Sequence, residues 1–332
     1  MRFSFLSRDI CGHLQIQYFT AVWTCLDSSG ECELDAELDT LKLRSSFHHS
    51  HNTSRYCAIL CAIPMIAKPM ARRPRAQVHL LSRIIICLVN AAAIGSLFWS
   101  PRNPVTYAVD VLLRTYLIFV GNVMAHEGVH GHLGRTRGAN LWWGRLALVP
   151  STVPFTNFRK THRLHHVHTN IPEKDPDYFL RSRNALEILL RAVAMPHHWL
   201  FWLRRHGMLK RKDVVELVVH YAAIFGFYGI VLSFVGPARL ALGMLPPLVL
   251  TSLLLWYPFA IRTHEGYSVG SAESRSHNYY GHLMYWFSLG LAMHRVHHLQ
   301  PGLTWVDLRD HVEVAPARCM PWLPRRDIRY AR

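Results

Sequence analysis

Eight of the 23 histidines in this chain fall into three tight clusters. They read His126-Glu-Gly-Val-His130, His162-Arg-Leu-His165-His166 and His294-Arg-Val-His297-His298. On a helix, positions i, i+3 and i+4 share one face, so each cluster can aim two or three imidazoles at a common point. Neutral imidazole is a good ligand for iron, copper, zinc and nickel. Eight such ligands exceed what one mononuclear ion can hold, and two ions are the economical reading. A lone histidine in such a place reads as a surface or capping residue. Two HxxHH patterns and an HxxxH in one chain do not.

Two rival chemistries fit parts of this pattern. The first cluster is also His-Glu-x-x-His, the zinc-protease motif, with Glu127 as general base. That site needs one further ligand and leaves two clusters without a task. A histidine-rich metal carrier or transporter would place ionisable residues along a path through its spans. Here the clusters sit beside the apolar stretches instead. His132 and His168 lie two residues beyond their clusters, a step toward the opposite side of a helix, and read as supporting or surface residues. Asp175 and Asp177 follow the second cluster and could accept the free N–H of ligating imidazoles. They also suit an ordinary acidic turn built on Pro172 and Pro176.

The elements that must position these clusters are apolar. Half of the 332 residues are hydrophobic and 17% are charged. Apolar stretches run at roughly 80–100, 105–125, 214–235 and 239–261, each near the ~20 residues that span a bilayer as a helix. The second is the weakest, because it carries Asp110 and Arg114, four apart and able to pair. Short links join the first two stretches (SPRNPV) and the last two (GPAR). The pattern predicts an all-α integral membrane protein: four transmembrane helices as two hairpins, with a helical cap holding the dimetal site. With four spans, all three clusters fall on one side of the membrane.

That side carries Lys68, Arg72, Arg73 and Arg75, then Arg181, Arg183, Arg191, Arg204, Arg205, Lys210, Arg211 and Lys212. The positive-inside rule makes it cytoplasmic, termini included. The formal net charge of +16 fits an anionic membrane surface, since the basic residues flank apolar stretches and nothing suggests nucleic acid. The stretch near 184–206 mixes Leu, Trp and Arg and suits a helix lying in the interface.

Residues 1–75 differ from the rest. An acidic run at 27–39 contains no Lys or Arg, residues 47–51 read FHHSH, and no helical or strand period is sustained. We expect a poorly ordered extension there, with Met65 and Met70 as alternative starts and His48, His49 and His51 solvated. The early apolar residues match a signal peptide poorly. Seven cysteines without a CxxC pair fit a reducing compartment and argue against a structural zinc site. There is no internal repeat.

The three clusters and their flanks resemble the histidine boxes of the membrane fatty acid desaturase and hydroxylase superfamily. NFRKTHRLHHVHTNIPEKDPD around the second cluster and HHLQPGLTW after the third carry the likeness as well. The resemblance covers about residues 78–310. It implies a desaturase-like domain over 76–332 and a di-iron centre that activates O2 on an acyl or other lipid chain. The metal ligands implied are His126, His130, His162, His165, His166, His294, His297 and His298. A further ligand is implied after the last span, and His264, 30 residues before His294, takes that place. His282, in NYYGH, is the competitor. Two electrons are needed per turnover. With no GxGxxG after a strand, no flavin signature and no haem motif, an external ferredoxin, rubredoxin or cytochrome b5 type carrier is implied. Acyl-chain desaturation leads; hydroxylation or ketolation of a fatty acid, alkane or carotenoid uses the same boxes.

Overall fold

The computed structural model describes residues 74–182, 184–264, 276–279, 281–312 and 317–319. The acidic run at 27–39 and His48, His49 and His51 lie outside them. The described chain is mostly helical. Four of its helices are long and apolar enough to cross a membrane.

Helix α1 (Arg75–Gly95) starts after Pro74 and ends in a 3-10 turn at Ser96–Phe98. Helix α2 (Pro104–Val129) has a well-defined start. Asn103 Oδ1 accepts from the Thr106 amide at 2.9 Å, and Thr106 Oγ1 accepts from the Asn103 amide at 3.1 Å. Pro104 occupies the first helical position, where no amide proton is needed. Gly131, at φ +84°, lets the chain turn away after Val129. The first histidine cluster is therefore the last turn of this long apolar helix and its cap, not a separate element.

Helices α3 (Arg137–Ala147) and α4 (Phe155–His168) follow, then α5 (Ala185–Arg205). Asn184 caps α5 by accepting from the Leu186 and Glu187 amides. Helix α6 (Arg211–Val235) passes directly into α7 (Pro237–Trp256) through Gly236, whose φ of +77° makes the reversal. Helix α7 loosens into a π-helical turn at Tyr257–Ile261 and tightens into a 3-10 turn at Arg262–His264. Such irregular turns recur where a helix must re-aim a functional side chain. Beyond lie α8 (Gly281–Ser288) and α9 (His294–Leu299). A short parallel pair joins β1 (Asn278–Tyr279) to β2 (Ala317–Cys319).

Helix α2 is the central element and packs against α1, α3, α4 and α7. Its span window is 67% buried, against 28% for the α1 span, 17% for α6 and 29% for α7. The stretch weakest as a membrane sequence is thus the one the others surround. Its charges explain both facts. Arg114 Nη2 donates to Asp110 Oδ1 at 2.6 Å, and Arg239 Nη2 donates to Asp110 Oδ2 at 3.1 Å. Arg114 also donates to the Gly243 carbonyl and to Ser96 Oγ. Intramembrane charges are tolerated when they face protein and pair. This knot ties α1, α2 and α7 together about 24 Å along α2 from His126.

At the other end α3 lies close on α2. A Cβ at Gly121 would stand 2.7 Å from the Ala147 carbonyl oxygen, and one at Gly128 would meet Leu133 at 2.9 Å and the Gly144 backbone at 3.4 Å. The glycine inside HEGVH therefore serves packing, while its flanking histidines face elsewhere.

Candidate metal centre

The nine histidines singled out in the sequence converge into two groups, buried except for the half-buried His130. His126, His130, His162, His166 and His297 form the first; His165, His264, His294 and His298 form the second. Within each, the ring nitrogens that could bind an ion all lie within 4.8 Å of one another. Helix α2 supplies His126 and the cap residue His130. Helix α4 supplies three, α9 supplies three, and the end of α7 supplies His264.

Each HxxHH cluster is divided between the groups. His162 and His166, four apart, turn to the first group, and His165 turns to the second. In α9 the division is reversed: His294 and His298 join the second group, and His297 joins the first. Positions i and i+4 project in nearly the same direction on a helix, and i+3 projects to the other flank of that face. Two ions side by side over one helix face need this arrangement.

The donor atoms themselves fit cations. In the first group His162 Nε2 lies 3.1 Å from His130 Nε2 and 3.0 Å from His166 Nε2. His166 Nε2 lies in turn 3.0 Å from His297 Nε2. In the second, His264 Nε2 lies 3.2 Å from His165 Nε2 and 2.9 Å from His294 Nε2, which lies 3.0 Å from His298 Nε2. A neutral imidazole nitrogen offers either one hydrogen or one lone pair. The middle nitrogens of these chains therefore cannot satisfy both neighbours by hydrogen bonding. His126 Nε2 is buried with no hydrogen-bond partner among the described residues. A central cation satisfies all of them. For bonds of about 2.1 Å, neighbouring nitrogens stand about 3.4 Å apart at tetrahedral angles and about 3.0 Å apart at right angles. The spacings match the right-angled case, which leaves positions for ligands that are not protein.

Electrostatics agrees. His130, His162, His166, His294, His297 and His298 are held well below the usual histidine pKa by burial first and by neighbouring imidazoles second. They are neutral, as ligands must be. His165 differs. Burial opposes its charge, but the carboxylates of Asp175 and Asp177 outweigh this and raise its pKa to about 9. Its Nδ1 lies 3.0 Å from Asp175 Oδ1 and 3.7 Å from Asp177 Oδ2. Asp175 also accepts from the Asn170 and Asp177 amides, and Asp177 accepts from Trp199 Nε1 at 2.9 Å. Carboxylates so placed fix the ring orientation of a ligating histidine.

Glu127 places a carboxylate beside the first group. Its Oε1 is 3.8 Å from His126 Nδ1. Its Oε2 is 3.0 Å from His132 Nδ1 and accepts from the Trp305 amide at 2.9 Å. His132 is thus a buried partner of Glu127. His168 is half-buried outside both groups, and His282 is exposed on α8 and belongs to neither. The Glu127 role escaped sequence reasoning, which saw in that residue only the base of a protease motif.

A cavity of about 40 Å³ opens between the two groups and the span-length helices. His126, His162, His165 and His294 border it on one side; Phe158, Leu255, Phe259 and Leu291 supply apolar walls, and Asn122 and Asp177 add polar points.

Four span-length helices that carry two buried nests of imidazole over an apolar cavity define a histidine-rich protein of membrane type. The sequence profile of the fatty acid desaturase family matches residues 103–326, and the chain belongs to that family. A stretch of 73 residues is 29% identical to an sn-1 acyl-lipid omega-3 desaturase (ferredoxin) of Synechocystis sp., covering 22% of this chain and 20% of that protein. The chain thus aligns with about a fifth of the length of this curated relative.

Proposed function

We propose that this chain is a membrane-bound di-iron oxygenase that introduces a double bond into a fatty acyl chain, using O2 and two electrons from an external carrier. One observation carries the proposal: two imidazole groups, five and four strong, border a single cavity with apolar walls. Family membership and the acyl-lipid desaturase likeness favour this chemistry over other uses of such a site. The word ferredoxin in the relative's name favours a one-electron iron–sulfur carrier.

His126, His130, His162, His166 and His297 would hold one iron, and His165, His264, His294 and His298 the other. Bound there, two irons supply the activation of O2 needed to remove hydrogen from an unactivated C–H bond. The chain's own residues do the rest. Phe158, Leu255, Phe259 and Leu291 exclude water and hold an alkyl chain beside the histidines, so that position along the chain selects the carbon oxidised. Asp175 and Asp177 orient His165, and Glu127 sets a negative charge beside His126. Glu127 is committed to His132 and to the Trp305 amide, which disfavours the protease reading.

The topology follows the same reading. Residues 76–332 form the desaturase-like domain, α1–α2 and α6–α7 cross the membrane as two hairpins, and the cap with its metal site faces the cytoplasm. The basic residues on that side support this orientation. Lipid analysis by mass spectrometry, in a host expressing the chain or its His165→Ala and His297→Ala variants, tests the function. The expected product is an acyl chain two hydrogens lighter that vanishes with either variant. A product heavier by one oxygen makes the chain a hydroxylase instead.

A further inference from the structure

His264, which joins the second group from outside the three clusters, is held by its backbone. It is the last residue of the 3-10 turn at Arg262–His264, after the π-helical turn at Tyr257–Ile261. Carbonyls at a helix end lack an intrahelical partner and need one from elsewhere. Two such carbonyls are met here by distant parts of the chain. The His277 amide donates to the Thr263 carbonyl at 3.0 Å. Arg181 Nη2 donates to the His264 carbonyl at 2.9 Å, and Asn170 Nδ2 reaches the same oxygen at 3.4 Å.

These contacts belong to a closed ring. The same Arg181 Nη2 donates to Asn170 Oδ1. The Asn170 amide donates to Asp175 Oδ2 at 2.8 Å, and Asp175 Oδ1 lies 3.0 Å from His165 Nδ1. His165 Nε2 lies 3.2 Å from His264 Nε2. Asn170 can take its place because asparagine tolerates the left-handed backbone its φ of +66° requires. Arg181 directly follows the 3-10 helix Pro176–Leu180, and its own carbonyl accepts from Arg191 Nη1 of α5 at 3.0 Å. One loop after α4 thus carries both the carboxylates beside His165 and the guanidinium on His264.

We propose that Arg181 is a positioning residue for the second metal: through the His264 carbonyl it sets where His264 Nε2 stands relative to His165 Nε2. The inference rests on reading the two histidine groups as metal sites. A cation between the two Nε2 atoms completes the ring. The rest of the ring needs no ion, so both donors are in place before one arrives. None of the five histidines of the first group is a member of the ring, so the effect should fall on one ion alone. The guanidinium stays charged at any working pH and serves two acceptors from one nitrogen.

The test uses the full chain purified in detergent, stripped of metal and titrated with Co2+. Bound ions are counted by native mass spectrometry, and their visible absorption is followed. The parent should bind two. Arg181→Met keeps the stem and removes the donors; it should weaken the second ion about 10–100-fold and leave the first within about twofold. Adding His162→Ala, in the first group, should then weaken the remaining ion, which places the Arg181 effect in the second group. Arg181→Lys restores a charged donor and should recover at least threefold of the loss. A Met variant that binds both ions like the parent overturns the proposal. Parallel weakening of both ions makes Arg181 a general support of the fold and also overturns it. No recovery with Lys means that a charged donor at this place is not the cause, and overturns it too. A parent that binds only one ion overturns the dimetal reading, and the inference falls with it.

Discussion

Asp175 Oδ1 lies 3.0 Å from Nδ1 of His165, on the edge of the ring opposite the Nε2 that faces His264. The carboxylate thereby sets both the tautomer and the direction of one donor in the second group. Asp175→Asn should keep the shape and weaken that hold. Metal content of the purified variant should fall toward half, with affinity at the second group down about 10–100-fold. Asp177→Asn, 3.7 Å away, should do less. Equal and full metal loading in both would remove the orienting role.

Acid should unfold the metal-free protein early. His130, His162, His166, His294, His297 and His298 have folded-state pKa values below that of an unfolded histidine. The unfolded chain therefore binds more protons as pH falls, and stability present above about pH 6.5 is lost below it. His165 acts in the opposite sense, since its raised pKa adds stability below about 6.5 that is lost as pH rises through about 9. Six groups outweigh one, so the net slope should be destabilising in acid. Thermal unfolding of stripped protein in detergent between pH 8 and 5 checks this. A flat profile would mean the imidazoles are not buried together.

The charged knot at the far end of the bundle should be structural. Arg114→Leu leaves Asp110 buried with Arg239 as its remaining partner, and a loss of about 3–5 kcal/mol is expected for breaking a buried pair. Pairing the change with Asp110→Leu should recover part of it. Unfolding in mixed micelles measures both. Neither variant should alter the metal-to-protein ratio of the protein that remains folded.

Filling the cavity should separate metal binding from turnover. Leu291→Trp places an indole where the apolar wall now stands. Metal content should be unchanged while lipid oxidation falls at least tenfold or moves to another carbon. Unchanged activity with the same product would place the substrate elsewhere.

Much of this site was legible in the sequence, and the reasons are local. Spacing by three and four fixes which histidines share a helix face, so the eight box residues stood out. The same spacing does not say which ion each ring serves, and His165 and His297 each leave their cluster neighbours for the opposite group. That division depends on how α4 and α9 are set against each other across the chain. Glu127 was hidden because its partners, His132 and the Trp305 amide, include one 178 residues away. Spacing to His294 favoured His264 over His282; the turns at the end of α7 bring His264 into the second group, while α8 leaves His282 at the surface. The paired Asp110 and Arg114 were the legible sign that α2 sits inside the bundle, although they lowered its score as a span.

The central claim is that nine histidines hold two irons, five on one and four on the other. Metal analysis of the purified full chain, together with an iron absorption-edge spectrum, tests it most directly. About two irons per chain in nitrogen-rich surroundings are expected, falling to about one when His264 and His294 are both replaced by Ala. A single zinc per chain, unaffected by that double change, would contradict it.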